Sequence, residues 1–275
     1  MSYLGKYLKM PPTIEKLHKF EKEIEKEGHS LSDLSLYLEF DFSPYENTPY
    51  DVITFASTGV DGIHFGFLTD FGTVSDLENA FVVCISPMDF DSHIKIVARN
   101  IREFLNLVCT MKDALTISNF NILEEEGQYI RLLKELKQVE PEDEEFEEDA
   151  NYVVEKIIAT FDSERIEDVY HYVEGKVRTE REQQTILSTL DGLGIIPVEN
   201  ITSNFLPYKL EKDMTIDMEE VKAFFNSATT ESKMAFFRDV QFTYLIADEI
   251  ALKELVIHEM IKLGLQDEVD RLYVF

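Results

Sequence analysis

The chain has 275 residues, 44% of them hydrophobic and 29% charged, which is the composition of a globular protein and excludes a fibrous or disordered one. Its 54 acidic residues outnumber 26 basic ones, and the net charge of −28 repels phosphate backbones and anionic lipid head groups, so neither direct nucleic-acid binding nor membrane binding is expected. Neither MSYLGKYLKMPP at the start nor any later run has the apolar length of a signal peptide or a membrane span, so the expected location is the cytoplasm.

Residues 12–28 (PTIEKLHKFEKEIEKEG) predict a first helix, with Ile14, Leu17, Phe20 and Ile24 at three- and four-residue spacing, Thr13 placed to cap the start and Gly28 the end. The stretches 34–42, 50–58, 63–71 and 80–87 are short, rich in β-branched and aromatic residues, and bounded by Gly, Pro, Asn and Asp. They predict strands. Asp61-Gly62 supplies the positive-φ positions of a hairpin turn. Residues 92–112 return to helical spacing, with Ile94, Val97, Ala98, Ile101, Leu105 and Val108 on one stripe. Helix, strands and helix in this order predict an α+β domain over 1–112 with an antiparallel sheet flanked by helices.

A further helix is expected over 123–138. The segment 139–149 (VEPEDEEFEED) then carries eight acids and no base. Like charges at helical spacing cost about 0.2–0.5 kcal/mol per pair, so it reads as a solvated linker and a domain boundary, making 113–150 a helix plus acidic linker. Residues 113–150 hold 3 basic and 13 acidic residues, the densest negative charge in the chain. Residues 151–275 predict a mainly helical domain. Thr179 with Glu182 and Asp217 with Glu220 fit capping boxes, Gly194 and Gly264 fit helix ends, and 244–263 predicts a central buried helix.

Chemistry-bearing patterns are few. Cys84 and Cys109 lie in apolar runs and read as reduced, buried thiols. Ser57, His64 and either Asp61 or Asp70 suggest a hydrolytic triad, yet there is no G-x-S-x-G elbow, so a turn Asp and a strand His are the expected roles. Asp70-Phe71-Gly72 spells the kinase metal-binding tripeptide without the loops that accompany it. The six histidines form no metal-ligand pair and no phosphate-binding glycine loop is present, so neither metal nor cofactor is expected, and no enzyme activity. The charge fits a basic protein partner and equally a surface that is acidic only for solubility. The candidate contact residues are Asp61, His64 and Asp70 in the strand region, and Glu142, Asp143, Glu144, Glu145, Glu147, Glu148 and Asp149 in the acidic run, which reads either as a linker or as an anionic docking strip.

TPYDVITFASTGVDGIHFGFLTD, then AFVVCISPMD, then IKIVARNIREFLNLV resembles the SUKH superfamily. The residues that carry the likeness are Asp61, Gly62, Phe65 and Leu68 around the turn and aromatic strand, and Val97, Ala98, Asn100, Ile101, Phe104 and Leu105 leading into a helix. The likeness covers about residues 12–110 and leaves 113–275 outside it. LSDLSLYLEF departs from the family's usual segment after its first helix. The resemblance implies a protein without catalytic residues, either a bacterial immunity protein that neutralises a cognate toxin, often a nuclease, or an intracellular scaffold or regulator. A hydrolase using Ser57 and His64 is the weakest reading.

Overall fold

In the computed structural model, which describes residues 4–39, 45–123, 125–138, 144–198, 205–210 and 214–273, the β-rich region folds as five antiparallel strands laid side by side in chain order. They are β1 (Tyr37–Leu38), β2 (Val52–Ser57), β3 (His64–Leu68), β4 (Val82–Ile85) and β5 (Ile94–Ala98). Asp61 and Gly62 have φ of 50° and 70°, the pair of left-handed residues that lets a tight turn follow the twist of β2 and β3. Pairing sets Ser57 opposite His64, His64 opposite Ile85 and Ile85 opposite Ile94. The β2–β3 turn and the β4–β5 loop therefore leave the same end of the sheet.

Helix α1 (Pro12–Ile24) begins behind Pro11, with Pro12 in the first turn, where its missing N–H costs nothing. Thr13 is not the cap. It sits inside the helix, and its backbone N–H and hydroxyl both donate to Glu78. Helix α2 (Ile101–Met111) is capped by Asn100, whose side chain accepts the Glu103 N–H at 3.0 Å. The helix expected over 92–112 is thus two elements. Ile94–Ala98 pairs with β4 because alternating β-branched residues fit a pleated edge, and the helical stripe through Ile94 and Val97 is a coincidence of spacing.

After α3 (Ala114–Ile117) and α4 (Glu126–Gln138) comes α5 (Glu144–Phe161). This corrects the linker reading, since Glu144–Asp149 is helical and only 139–143 falls outside the described residues. Ala150, Val153, Val154 and Ile157 bury a stripe that outweighs repulsion among the carboxylates. A π-helical segment, His171–Val177, runs into α6 (Arg178–Gln184), so Thr179 is interior to a helix and caps nothing. Helices α7 (Met218–Ser227), α8 (Thr230–Phe242), α9 (Leu245–Asp248), α10 (Ile250–Lys262) and α11 (Gln266–Leu272) complete the chain. Asp217 caps α7 as expected. Gly264 follows α10 with φ 75°, whereas Gly194 lies in a loop. The segment 244–263 is not one central helix. It is broken at Glu249, and Ile250 and Ile261 are exposed.

The architecture is α+β, with the antiparallel sheet in the N-terminal half and helices following it. Two apolar cores hold it. The first joins α1, the strands, α2 and α5. Phe104 of α2 packs 5.5 Å from Phe55 and 4.8 Å from Phe65, and each buried phenyl contributes about 1.5–3 kcal/mol. That core extends through Val177 to Leu193, so it runs well past the expected boundary at 150. The second gathers α7, α8, α10 and α11 and takes in Tyr50 and Phe71 from the sheet region.

Candidate functional site

The candidate residues of the strand region separate by burial. Asp61 is exposed in the β2–β3 turn. His64 is fully buried. Its Nδ1 bonds the Gly62 carbonyl at 2.7 Å and its Nε2 the Thr48 hydroxyl at 3.0 Å. Because a carbonyl only accepts, Nδ1 carries the proton and Nε2 accepts from Thr48. Burial pushes the imidazole down to about 4, which keeps it neutral at physiological pH. Ser57 stands opposite His64 in the ladder, but its hydroxyl donates to Glu39 at 2.7 Å. Serine and histidine are each committed elsewhere, so the pair does not form a nucleophile and its base. Nor does His64 present an edge to a partner.

Asp70 is likewise interior. Asp70, Phe71 and Gly72 all have positive φ, of 49°, 50° and 75°, and this left-handed run after β3 swings the Asp70 carboxylate under the C-terminal region. Arg181 of α6 grips it bidentately at 2.6 and 2.9 Å. Arg238 of α8 reaches it at 3.4 Å and Asp51 at 2.5 Å. Asp51 also accepts the Phe71 N–H at 3.2 Å, and Asp191 lies 3.9 Å from the Arg238 Nε. The Leu193 carbonyl accepts from Arg181, and that of Gly194 from both guanidinium groups. Arg238 further lies over the Phe71 ring. Three carboxylates and two guanidinium groups thus close the joint between the two cores, with every member buried. Asp51 Oδ1 and the Arg238 Nε are buried without a hydrogen-bond partner, but the carboxylate–guanidinium contacts bind the two cores to each other. The sequence showed Asp70 but not its partners, which come from 111 and 168 positions away.

The same joint grips the turn segment that leads into β2. Gln241 donates to the Thr48 carbonyl at 2.6 Å and accepts from the Tyr50 N–H at 3.2 Å, while Arg271 of α11 donates to the Tyr50 carbonyl. Beside it, a cleft of about 540 Å³ lies between β5, α6 and the 188–194 loop. Its cations are matched. Lys95 meets Glu174 at 2.5 Å, Arg178 meets Glu182 at 2.8 Å, and Arg181 meets Asp70. Among the described residues no three His, Cys, Asp or Glu side chains come together as metal ligands. No helix of the described residues is long and apolar enough to cross a membrane.

Of the acidic run, Glu142 and Asp143 lie outside the described residues. Glu144 and Glu145 open α5, and Glu147 and Glu148 are exposed on it. Asp149 is half-exposed and sits 3.2 Å from the His29 Nδ1. Glu147, Glu148 and Asp149 do not enter the joint that holds Asp70. What sequence reasoning passed over is the β4–β5 loop, where Met88 and Phe90 are 63% and 64% exposed. Their signal was present in the sequence, as two large apolar side chains alternating with acids just after Pro87.

No protein-family model matches the chain, and no curated protein matches it.

Proposed function

We propose that this chain acts by binding a basic protein partner, as an immunity-type protein that neutralises a cognate toxin in the cytoplasm. The observation that carries the reading is the net charge of −28, spread over the whole chain. A toxin that holds nucleic acid is basic where it does so, and an acidic inhibitor complements that surface and speeds encounter. Further support comes from the resemblance to SUKH proteins, with its order of helix, antiparallel strands and helix. The triad-like residues also lend support, because they are consumed by internal hydrogen bonds.

The test is affinity capture by the tagged full chain at about 0.1 M and about 1 M salt, where the Debye length falls from about 10 Å to about 3 Å. The expected result is a basic protein retained at low salt and released at high salt, whose toxicity to cells disappears when this chain is co-expressed. Hydrolysis of generic ester or phosphoester substrates by the purified chain, with no protein retained, would overturn the reading.

A further inference from the structure

Three loops meet at the end of the sheet where β2 turns into β3 and β4 leads to β5. The Tyr45 ring stacks on His64 at 5.9 Å and occupies the space that a Cβ on Gly62 would take. Asn47 donates to the Pro87 carbonyl at 3.1 Å, tying the 45–48 segment to the β4–β5 loop. Within that loop the Asp89 N–H donates to Ser86 at 3.0 Å and the Ser92 N–H to Asp89 at 2.9 Å, while His93 at its end is buried against Phe242 of α8. The loop is therefore shaped and anchored. Even so, Met88 and Phe90 stand mostly in water, with Tyr45 and Val60 nearly half-exposed on the neighbouring segments.

Large apolar side chains held outward together mark a surface used for association. The three segments themselves carry acids and no base. Glu46, Asp61 and Asp91 are exposed and Asp89 is half-exposed, and the segments 45–48, 58–63 and 86–93 contain no Lys or Arg. We infer that this end of the sheet is the docking surface, and that it takes a basic protein face whose apolar pocket receives Phe90 and Met88 while arginines or lysines meet Asp61 and Asp89. Aromatic and methionine anchors in a ring of charge are the usual anatomy of such a contact. A second copy of this chain does not fit, because it would bring like charges together in a molecule at −28, and a nucleic acid is repelled for the same reason. The inference rests on the protein-binding reading above and names its surface. The acids of α5 then act at a distance, through the field that steers approach.

The experiment places a photo-crosslinking benzophenone side chain at position 90 of the full chain and, separately, at position 147, then irradiates the cells that make the protein and identifies adducts by mass spectrometry. The expected result is an adduct from position 90, joined to a Lys- or Arg-rich segment of another protein, and none from position 147. Met88→Asp with Phe90→Asp should weaken the complex formed with that protein by about 10-fold or more while leaving the melting temperature unchanged, since both side chains are exposed. An adduct from position 147 alone, or a partner whose affinity ignores the double substitution, overturns the surface and leaves the protein-binding reading standing. An adduct to a second copy of the chain overturns the assigned occupant. No adduct from either position, together with no protein retained at low salt, overturns both.

Discussion

Arg238 on α8 and Asp51 at the entry to β2 lie 2.5 Å apart, with 1% and 0% of their side chains exposed. A pair so deeply buried costs desolvation on both sides, and breaking it strands a charge. Arg238→Met should destabilise the fold by about 3–5 kcal/mol, because Asp51 and Asp70 then face one guanidinium between them. Asp51→Asn alone should cost a similar amount. The double variant should cost clearly less than the sum, since the orphaned charge is gone. Urea melts of the four proteins decide this, and simple additivity would show that the two residues are not coupled.

Gly62 has φ of 70° and its missing side chain makes room for the Tyr45 ring. Gly62→Val therefore meets two penalties, a left-handed backbone that a β-branched residue resists and a direct clash. The loss should be on the order of 1 kcal/mol or more. An unchanged denaturant midpoint would remove the hairpin geometry from the account.

His64 sets a pH dependence. Its folded imidazole lies near about 4 against about 6.5 when unfolded, so between those values the unfolded state binds the extra proton. Stability from this group is fully present above about 6.5 and is lost as pH falls towards 4, by about 3 kcal/mol in all. Asp239 works the other way. Burial pushes its carboxyl up to about 7, so its contribution is present at acid pH and is lost as pH rises through that value. His64→Gln removes the first slope and keeps the second. The stability gap between the parent and this variant should shrink steadily from pH 6.5 to 4, and a gap independent of pH would contradict the buried neutral histidine.

Cys84 and Cys109 are both free and fully buried, and burial raises both thiols above their ordinary range. An aromatic disulfide reagent should label neither thiol of the native protein and both once it is unfolded in urea, because only an accessible thiolate attacks. Rapid labelling of one thiol in the native state would place that cysteine at a surface.

Local chemistry was legible where a few neighbouring residues decide the conformation. Asp61-Gly62, the Asp217 cap and the stripe of Ile14, Leu17, Phe20 and Ile24 all do in the structure what their spacing implies. The strand at Ile94–Ala98 was misread because Ile94, Val97 and Ala98 satisfy helical and extended spacing alike, and only pairing with β4 separates the two. The start of α5 was misread because counting like charges leaves out the apolar stripe that begins at Ala150, which supplies the greater free energy. Asp70 looked like a surface carboxylate. Its burial depends on Arg181 and Arg238, which no local pattern connects to it.

The joint also dictates an order of events while the chain is made. Asp51 leaves the ribosome 187 residues ahead of Arg238, which at about 5–20 residues per second is a delay of roughly 10 to 40 s. The strands can pair in that interval, since they lie side by side in sequence order. Asp51 and Asp70 must meanwhile remain hydrated, so the nascent chain carries a wet acidic seam that dries only when α6 and α8 deliver their arginines.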